Sequence, residues 1–136
     1  MILGTGIDLI EVSRIEDSYA RFGERFLRRI LREEEVAYCL RLARPGPHLA
    51  ARFAAKEAVS KAFGTGIGTE LGWHDIEVRR RESGEPYVVL HEAGLVLFQR
   101  RQGCALHLSL THTSTLAGAV AVLEGSDPSS PPTNPG

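Results

Sequence analysis

The hydrophobic and polar positions along the chain follow two different periods, which predict a mixture of strands and helices. Short apolar runs and alternating patterns predict strands at residues 2–10, 73–80, 87–90, 105–111 and 118–123. Helical spacing predicts helices at residues 14–32, with a break at Gly23, and at residues 33–42, 48–63 and 92–101. The pattern therefore predicts an α+β fold, although it does not fix the order of the strands.

The helix predicted at residues 48–63 is the central one. It is rich in Ala, contains no Pro and ends before Gly64, the residue type that most often stops a helix. Its apolar residues are spaced to form one buried stripe, which comprises Phe53, Ala54, Ala58, Val59, Ala62 and Phe63. The same spacing on the last helix predicts that Leu95, Val96 and Phe98 face inward.

Two charged residues on the central helix allow two interpretations. Glu57 and Lys61 lie one turn apart on the same face, so they could form an ordinary surface ion pair. Alternatively, Glu57 and the glycine-rich segment at residues 64–68 could hold a metal ion and a phosphate. Because these glycines follow the helix instead of preceding it, the segment is not a P-loop. An anion here would therefore be bound mainly by side chains and a cation.

Two polar residues occupy notable positions on the predicted strands. Asp8 lies inside the apolar run at residues 2–10, where a buried carboxylate needs a donor, a counter-ion or a metal. It could equally mark the end of the strand and cap a turn. His112 follows the strand at residues 105–111, among hydroxyl side chains. It is either a turn histidine with satisfied hydrogen bonds or a phosphate contact, because such a cluster offers several donors.

Arginines dominate the charge of the helical region at residues 14–32. The six arginines outnumber three acidic residues there, and they are Arg14, Arg21, Arg25, Arg28, Arg29 and Arg32. A charge run of this kind is usually a solvated face. On a chain whose net charge is −1, however, it is a local asymmetry that would suit an acidic partner.

Length and composition predict one globular domain. The chain has 136 residues, and its apolar and charged fractions of 43% and 24% are typical of globular proteins. We expect residues 1–124 to form this domain and the Pro- and Ser-rich residues 125–136 to form a disordered tail. The net charge of −1 provides no global field for nucleic acid.

The sequence also predicts a location. No apolar run is long enough to span a membrane, and the N-terminus lacks the basic region of a signal peptide. We therefore expect no membrane association and a cytoplasmic protein. Cys39 and Cys104 lack the spacing of a metal site and are expected to be two buried thiols.

Three segments together resemble those of a known enzyme family. They are Gly6-Ile7-Asp8-Leu9-Ile10-Glu11-Val12 with Arg14-Ile15, Arg52-Phe53-Ala54-Ala55-Lys56-Glu57-Ala58 with Lys61-Ala62 and Gly64-Thr65-Gly66, and Leu108-Ser109-Leu110-Thr111-His112-Thr113. In this order and spacing they resemble the holo-[acyl-carrier-protein] synthase family of 4′-phosphopantetheinyl transferases. The resemblance runs from residue 2 to residue 124, and Thr111 stands where the family commonly has Ser.

The resemblance implies a fold, a reaction and its partners. The implied fold is α+β, with a small antiparallel sheet packed against a long central helix and shorter helices. The implied reaction uses Mg²⁺ and moves the 4′-phosphopantetheine group of coenzyme A onto a serine of apo acyl carrier protein, in support of fatty acid or polyketide biosynthesis. The second product is adenosine 3′,5′-bisphosphate. Family members form homotrimers that bind the coenzyme in clefts between neighbouring subunits.

The resemblance also implies roles for single residues. It places the metal ligands at Asp8 and Glu57 and a catalytic, phosphate-binding lysine at Lys61. The residues implied to contact the coenzyme are Arg52, Lys61, Gly64, Thr111 and His112. The arginines implied to meet the acidic helix of the carrier protein are Arg14, Arg21 and Arg25.

Two other classes of function use only some of these residues. A non-catalytic module could dock an acidic helix on its arginines, but it would leave Asp8, Glu57 and His112 without a role. A different Mg²⁺-dependent phosphate enzyme, such as a nucleotide hydrolase, could use the carboxylates and Lys61 but not the basic helix. The transferase uses all of these features, and its chemistry needs positioning and charge neutralisation, which two carboxylates with Mg²⁺ and a lysine can supply.

Overall fold

The structure is a computed structural model that describes residues 1–127. Its helices are α1 (Val12–Phe22), α2 (Glu24–Ile30), α3 (Glu33–Leu40), α4 (Pro45–Phe63) and α5 (Ala93–Arg100). Its strands are β1 (Ile2–Glu11), β2 (Ile76–Arg80), β3 (Pro86–Leu90), β4 (Gly103–His112) and β5 (Leu116–Gly125). Within the described range, no helix is both long enough and apolar enough to cross a bilayer.

The strands form two antiparallel sheets. The larger sheet has three strands in the order β1-β5-β4, and β2 with β3 forms a separate hairpin. Helix α4 packs across the larger sheet against β1 and β5, while α1, α3 and the hairpin lie around its other sides. The predicted α+β class, with a small antiparallel sheet on a long central helix, is therefore confirmed.

The two faces of the larger sheet differ in what covers them. On the inner face, β5 presents Ala117, Ala119 and Ala121 to α4, and all three are at most 4% exposed. On the outer face, Ile7 is 68% exposed and its cross-strand partner Val120 is 43% exposed. The small inner side chains let the helix approach closely, whereas the outer face is an uncovered apolar surface.

Two glycines bring the backbone of β1 directly against α4. A Cβ atom at Gly4 would lie 2.0 Å from the carbonyl oxygen of Ala62, and one at Gly6 would lie 1.8 Å from that of Ala58. Only glycine fits at such distances. Because Asp8 is the next residue of β1 on the same face, this contact fixes its position beside the helix.

Helix α4 is surrounded on nearly all sides, so its buried surface is wider than the predicted stripe, of which five residues are buried and Phe53 is half-buried. The helix buries 14 of its 19 residues. They include Lys56, whose ammonium group donates to Glu35 Oε1 at 2.8 Å and to the carbonyl of Trp73 at 3.0 Å. Glu35 also accepts hydrogen bonds from the backbone amides of Arg32 and Val78. This buried ion pair ties α3, α4 and β2 together.

Helix α4 also begins three residues earlier than predicted. The Pro-Gly-Pro sequence at residues 45–47 indicated a turn, but the helix starts at Pro45. The first amides of a helix have no partner within it, so prolines in the first turn sacrifice no hydrogen bond.

Three further expectations differ from the structure. On α5, Leu95 and Val96 are 46% and 54% exposed, whereas Leu97 is buried, so the inward face is rotated from the prediction. Cys39 is a buried thiol, but Cys104 is exposed. Gly125, which the composition assigned to the tail, ends β5. The rest of the predicted tail falls mainly on residues 128–136, which lie outside the described residues.

Candidate active site

The structure brings Asp8 of β1 together with Glu57 and Lys61 of α4. The Lys61 ammonium group donates to Asp8 Oδ1 at 3.1 Å and to the carbonyl of Ile7 at 2.9 Å. Lys61 is thus paired with Asp8 across the helix–strand contact, and the predicted surface pair with Glu57 is not the one that forms. The interpretation of Asp8 as a turn cap is also wrong, because β1 continues through Glu11.

The two carboxylates lie close enough to influence each other. Partial burial raises the pKa of Glu57 above its usual range, and the negative charge of Asp8 raises this pKa further, while the charge of Lys61 lowers it. The Asp8 side chain is 17% exposed, so it is reachable from solvent yet shielded from it on most sides. A cation placed between the two carboxylates would relieve their repulsion.

This donor set fits Mg²⁺ better than a metal held wholly by protein. Within residues 1–127, no three His, Cys, Asp or Glu side chains converge on one point. Mg²⁺ prefers hard oxygen ligands, keeps several waters and is commonly held by one or two carboxylates together with substrate phosphates. Asp8 and Glu57 could supply those two carboxylates.

The end of α4 forms a tight turn just beyond Lys61. Gly64 adopts a left-handed conformation with φ of 79°, and its amide bonds to the carbonyl of Lys61 at 2.9 Å. The amides of Thr65 and Gly66 both bond to the carbonyl of Ser60 at 3.2 Å. Gly64 itself is exposed, so this turn lies at the surface.

A histidine pair occupies the opposite end of α4. His112 is the last residue of β4, and its ring lies 5.0 Å from the ring of His48, edge to face. Among the described residues, buried His48 Nδ1 has no hydrogen-bond partner. Burial lowers the pKa of His48, and the charges of His112, Arg52 and Arg80 lower it further. Sequence reasoning singled out His112 but missed His48, because a histidine inside a helical segment gave no local signal.

Arg52 faces away from the carboxylate group. It precedes Glu57 by five residues, which places it about 140° around the helix. It is 2% exposed, and its guanidinium lies 4.4 Å from the centre of the Tyr38 ring on α3. Its Nε has no partner among the described residues. It lines a cavity of about 270 Å³ whose other residues include Tyr38, Arg41, Arg79, Arg80 and Tyr87. The structure therefore does not bring Arg52 to Asp8 within one chain.

Two arginines of α2, Arg25 and Arg29, line an apolar groove at the surface of the first helices. Arg14, Arg21 and Arg25 are all exposed. The groove has a volume of about 540 Å³ and is lined by Ser18, Phe22, Arg25, Phe26 and Arg29. Phe22 is 57% exposed, although the sequence pattern counted it with the inward apolar residues. Exposed aromatic surface with a cationic rim is the composition expected of a protein-binding site.

Comparisons with known proteins agree on one family. A family model described as the 4′-phosphopantetheinyl transferase superfamily matches residues 4–121. The holo-[acyl-carrier-protein] synthase of Koribacter versatilis is 48% identical over 124 residues, which cover 91% of this chain and 99% of that protein.

Solved structures give the same result. The crystal structure of the synthase from Neisseria meningitidis matches with a TM-score of 0.85 and 32% identity, covering 91% of this chain and 99% of that chain. The synthase from Helicobacter pylori, solved in complex with coenzyme A, matches with a TM-score of 0.79 and 32% identity, covering 88% and 99% of the two chains.

Proposed function

The chain belongs to the 4′-phosphopantetheinyl transferase superfamily, and from this premise we propose that it transfers the 4′-phosphopantetheine group of coenzyme A to a serine of apo acyl carrier protein. The products are holo acyl carrier protein and adenosine 3′,5′-bisphosphate. This activity would support fatty acid synthesis and, with other carrier proteins, polyketide synthesis.

The main support for this proposal is that Asp8 of β1 lies close to Glu57 and Lys61 of α4. In the proposed site, Asp8 and Glu57 would hold Mg²⁺, and Lys61 would bind a neighbouring phosphate oxygen of the coenzyme. When bound, Mg²⁺ would polarise the diphosphate and neutralise charge that develops on the leaving phosphate. Asp8 and Glu57 would hold that ion, and the regular elements β1 and α4 keep both carboxylates in place for it.

The chemical step needs no nucleophile from this chain. The serine oxygen of the carrier protein forms a bond to the phosphorus nearer the pantetheine arm. The bridging oxygen–phosphorus bond breaks, its electron pair leaves with adenosine 3′,5′-bisphosphate, and the serine proton passes to a base. Lys61 places a fixed positive charge beside the phosphates during this displacement, which is how proteins commonly assist phosphoryl transfer.

The carrier protein would dock on α1 and α2. Arg14, Arg21 and Arg25 offer cationic contacts to an acidic helix, and the groove beside Phe22 and Phe26 offers apolar contacts. Aromatic and arginine side chains of this kind dominate many protein interfaces. The groove and the arginines together suit a helical partner that is acidic along one side and apolar along the other.

We also propose a homotrimer with the coenzyme between neighbouring subunits. The exposed apolar outer face of the larger sheet, with Ile7, Leu9 and Val120, supports an interface with further copies of this chain. Arg52 and His112 lie away from the carboxylates of their own chain. A cleft shared between two copies would let them contact a coenzyme whose diphosphate is held at Glu57 of a neighbour.

Cytoplasmic location is part of the same proposal. Cys39 and Cys104 are both free thiols, which suits a reducing compartment.

The direct test is the intact mass of an apo acyl carrier protein after incubation with this protein, coenzyme A and Mg²⁺. We expect the carrier protein to gain the mass of one phosphopantetheine group, and we expect EDTA to prevent the gain. Binding of the carrier protein without any mass gain, with several carriers tried, would favour a non-catalytic docking module. Breakdown of coenzyme A without a carrier would favour a hydrolase.

A further inference from the structure

Lys61 lies where it opposes binding of a cation to Asp8. Its ammonium group donates to Asp8 Oδ1 at 3.1 Å and to the carbonyl of Ile7 at 2.9 Å. We propose that Lys61 is an exchangeable counter-cation, which neutralises Asp8 until the coenzyme binds and then turns to the coenzyme diphosphate. The divalent metal and the coenzyme would consequently bind cooperatively. This inference rests on the proposed metal and phosphate roles of Asp8, Glu57 and Lys61.

The exchange requires a lysine side chain that is free to change partners, and the two lysines of the chain differ in this respect. The sequence contains two lysines, Lys56 and Lys61, both on α4. The Lys56 side chain is fully buried against Glu35, whereas the Lys61 side chain is 49% exposed. A lysine has four rotatable bonds and three donors, so an exposed one can change partners while its helix stays still. Lys61 can therefore leave Asp8 without any movement of α4.

The charges at the site supply the driving force. Asp8 and Glu57 together carry two negative charges when ionised, and Lys61 carries one positive charge within hydrogen-bond distance of Asp8. Mg²⁺ lies about 2.1 Å from its oxygen ligands, so an ion on Asp8 would lie close to an ammonium group on the same carboxylate. Two cations on one carboxylate repel each other strongly in a partly buried site. The diphosphate removes this conflict because it gives Lys61 a new anionic partner.

The consequence is a reciprocal coupling. If the coenzyme raises the affinity for the metal, the metal raises the affinity for the coenzyme by the same factor. The alternative is that Lys61 has a purely structural role and keeps its hydrogen bonds to Asp8 and to the carbonyl of Ile7 in every state of the enzyme. The two views differ in what removal of the Lys61 charge does to metal binding without coenzyme.

The first experiment measures Mn²⁺ binding, as a probe for Mg²⁺, by the electron paramagnetic resonance of free Mn²⁺. The unsubstituted protein, Lys61→Met and Lys61→Arg are titrated with and without coenzyme A, and Mn²⁺ with coenzyme alone is the blank. Without coenzyme, we expect Lys61→Met to bind Mn²⁺ about fivefold more tightly, the factor expected for loss of a partly exposed ion pair. Lys61→Arg should behave like the unsubstituted protein, and the enhancement of Mn²⁺ binding by coenzyme should be about fivefold smaller in Lys61→Met. Unchanged or weaker Mn²⁺ binding by Lys61→Met would overturn the inference.

An Asp8→Asn variant separates this inference from the proposed function. If Asp8→Asn binds Mn²⁺ as the unsubstituted protein does, the metal assignment itself is wrong. If Asp8→Asn abolishes Mn²⁺ binding while Lys61→Met leaves it unchanged, the metal assignment is supported and the counter-cation role of Lys61 is wrong.

A second experiment uses the unsubstituted protein, so it does not depend on how a variant folds. Labelling with [ε-¹³C]lysine gives two side-chain signals, because the chain has two lysines. Addition of Mg²⁺ with coenzyme A should shift the Lys61 signal and leave the signal of buried Lys56 in place as an internal reference. A Lys61 signal that stays at its initial position when both ligands are bound would show that the ammonium group does not change partners.

Discussion

The contact between β1 and α4 leaves no room for a side chain at Gly6, which yields a sharp prediction for Gly6→Ala. The new Cβ would lie 1.8 Å from the carbonyl oxygen of Ala58, where ordinary contact begins at 3.4 Å. The strand and the helix would therefore have to separate by about 1.6 Å at this point. Both neighbours are backbone atoms of regular elements, so neither can move aside as a flexible side chain could.

The expected cost follows from this geometry. Overpacking of a core typically costs about 1–3 kcal/mol, and we expect the upper end, about 3 kcal/mol, because two backbones must move. That is a large fraction of a typical free energy of unfolding of about 5–15 kcal/mol. Asp8 lies two residues along the same strand, so a shift of about 1 Å there should lower transfer about 100-fold.

The assay is urea unfolding followed by circular dichroism, at equal protein concentration, with transfer measured by intact mass at a temperature where the variant is folded. Gly68→Ala is the matched control, because a Cβ at Gly68 would meet no atom within 4 Å. We expect the control to change the free energy of unfolding by less than about 0.5 kcal/mol. Equal stability of Gly6→Ala and Gly68→Ala, or full transfer by folded Gly6→Ala, would refute the close-packing argument.

Further predictions concern charge at the site and at the groove. Asp8→Asn should lower kcat by about 100-fold or more while circular dichroism and the melting temperature stay near those of the unsubstituted protein; retention of full Mg²⁺-dependent activity would contradict the metal assignment. Arg25→Glu should raise KM for the carrier protein about tenfold and leave KM for coenzyme A unchanged, and equal effects on both would argue against docking on α2. Because the pKa of Glu57 is raised in the folded state, ionised Glu57 lowers stability as pH rises through that pKa. Without metal, Glu57→Gln should therefore be more stable than the unsubstituted protein at pH 7. Urea unfolding should show this difference shrinking as pH falls through the raised pKa towards the ordinary value of 4.5, and a difference that stays constant from pH 7 to 4.5 would contradict the assignment.

Local pattern predicted much of the fold, since both periods of hydrophobic spacing act over a few residues. It located the strand that carries Asp8 and the helix that carries Glu57 and Lys61, and it gave the α+β class. The actual partner of Lys61 depends on a contact between residues 53 positions apart, which periodicity does not encode. From the sequence, only the resemblance to a family indicated that Asp8 and the residues of the central helix belong to one site; hydrophobic periodicity did not.

Tertiary packing also explains the expectations that were wrong. Helix α4 is enclosed by β1, β5 and the elements around them, so Lys56 and Arg52 are buried where a single apolar stripe would have left them exposed. Lys56 is accommodated because Glu35 neutralises it inside the core. His48 contacts His112, and Phe22 lines the groove with residues of α2, only after the chain has folded. No local sequence signal could have assigned either residue to a site.

In the proposed reaction, Asp8 and Glu57 couple cleavage of coenzyme A to modification of a serine of the carrier protein. The most direct measurement follows adenosine 3′,5′-bisphosphate and holo acyl carrier protein together, in one time course with Mg²⁺. We expect equal amounts of both products at every time, neither product without the carrier protein, and neither in detectable amount with Glu57→Gln. Release of adenosine 3′,5′-bisphosphate without carrier protein, or equal rates for Glu57→Gln and the unsubstituted protein, would contradict it.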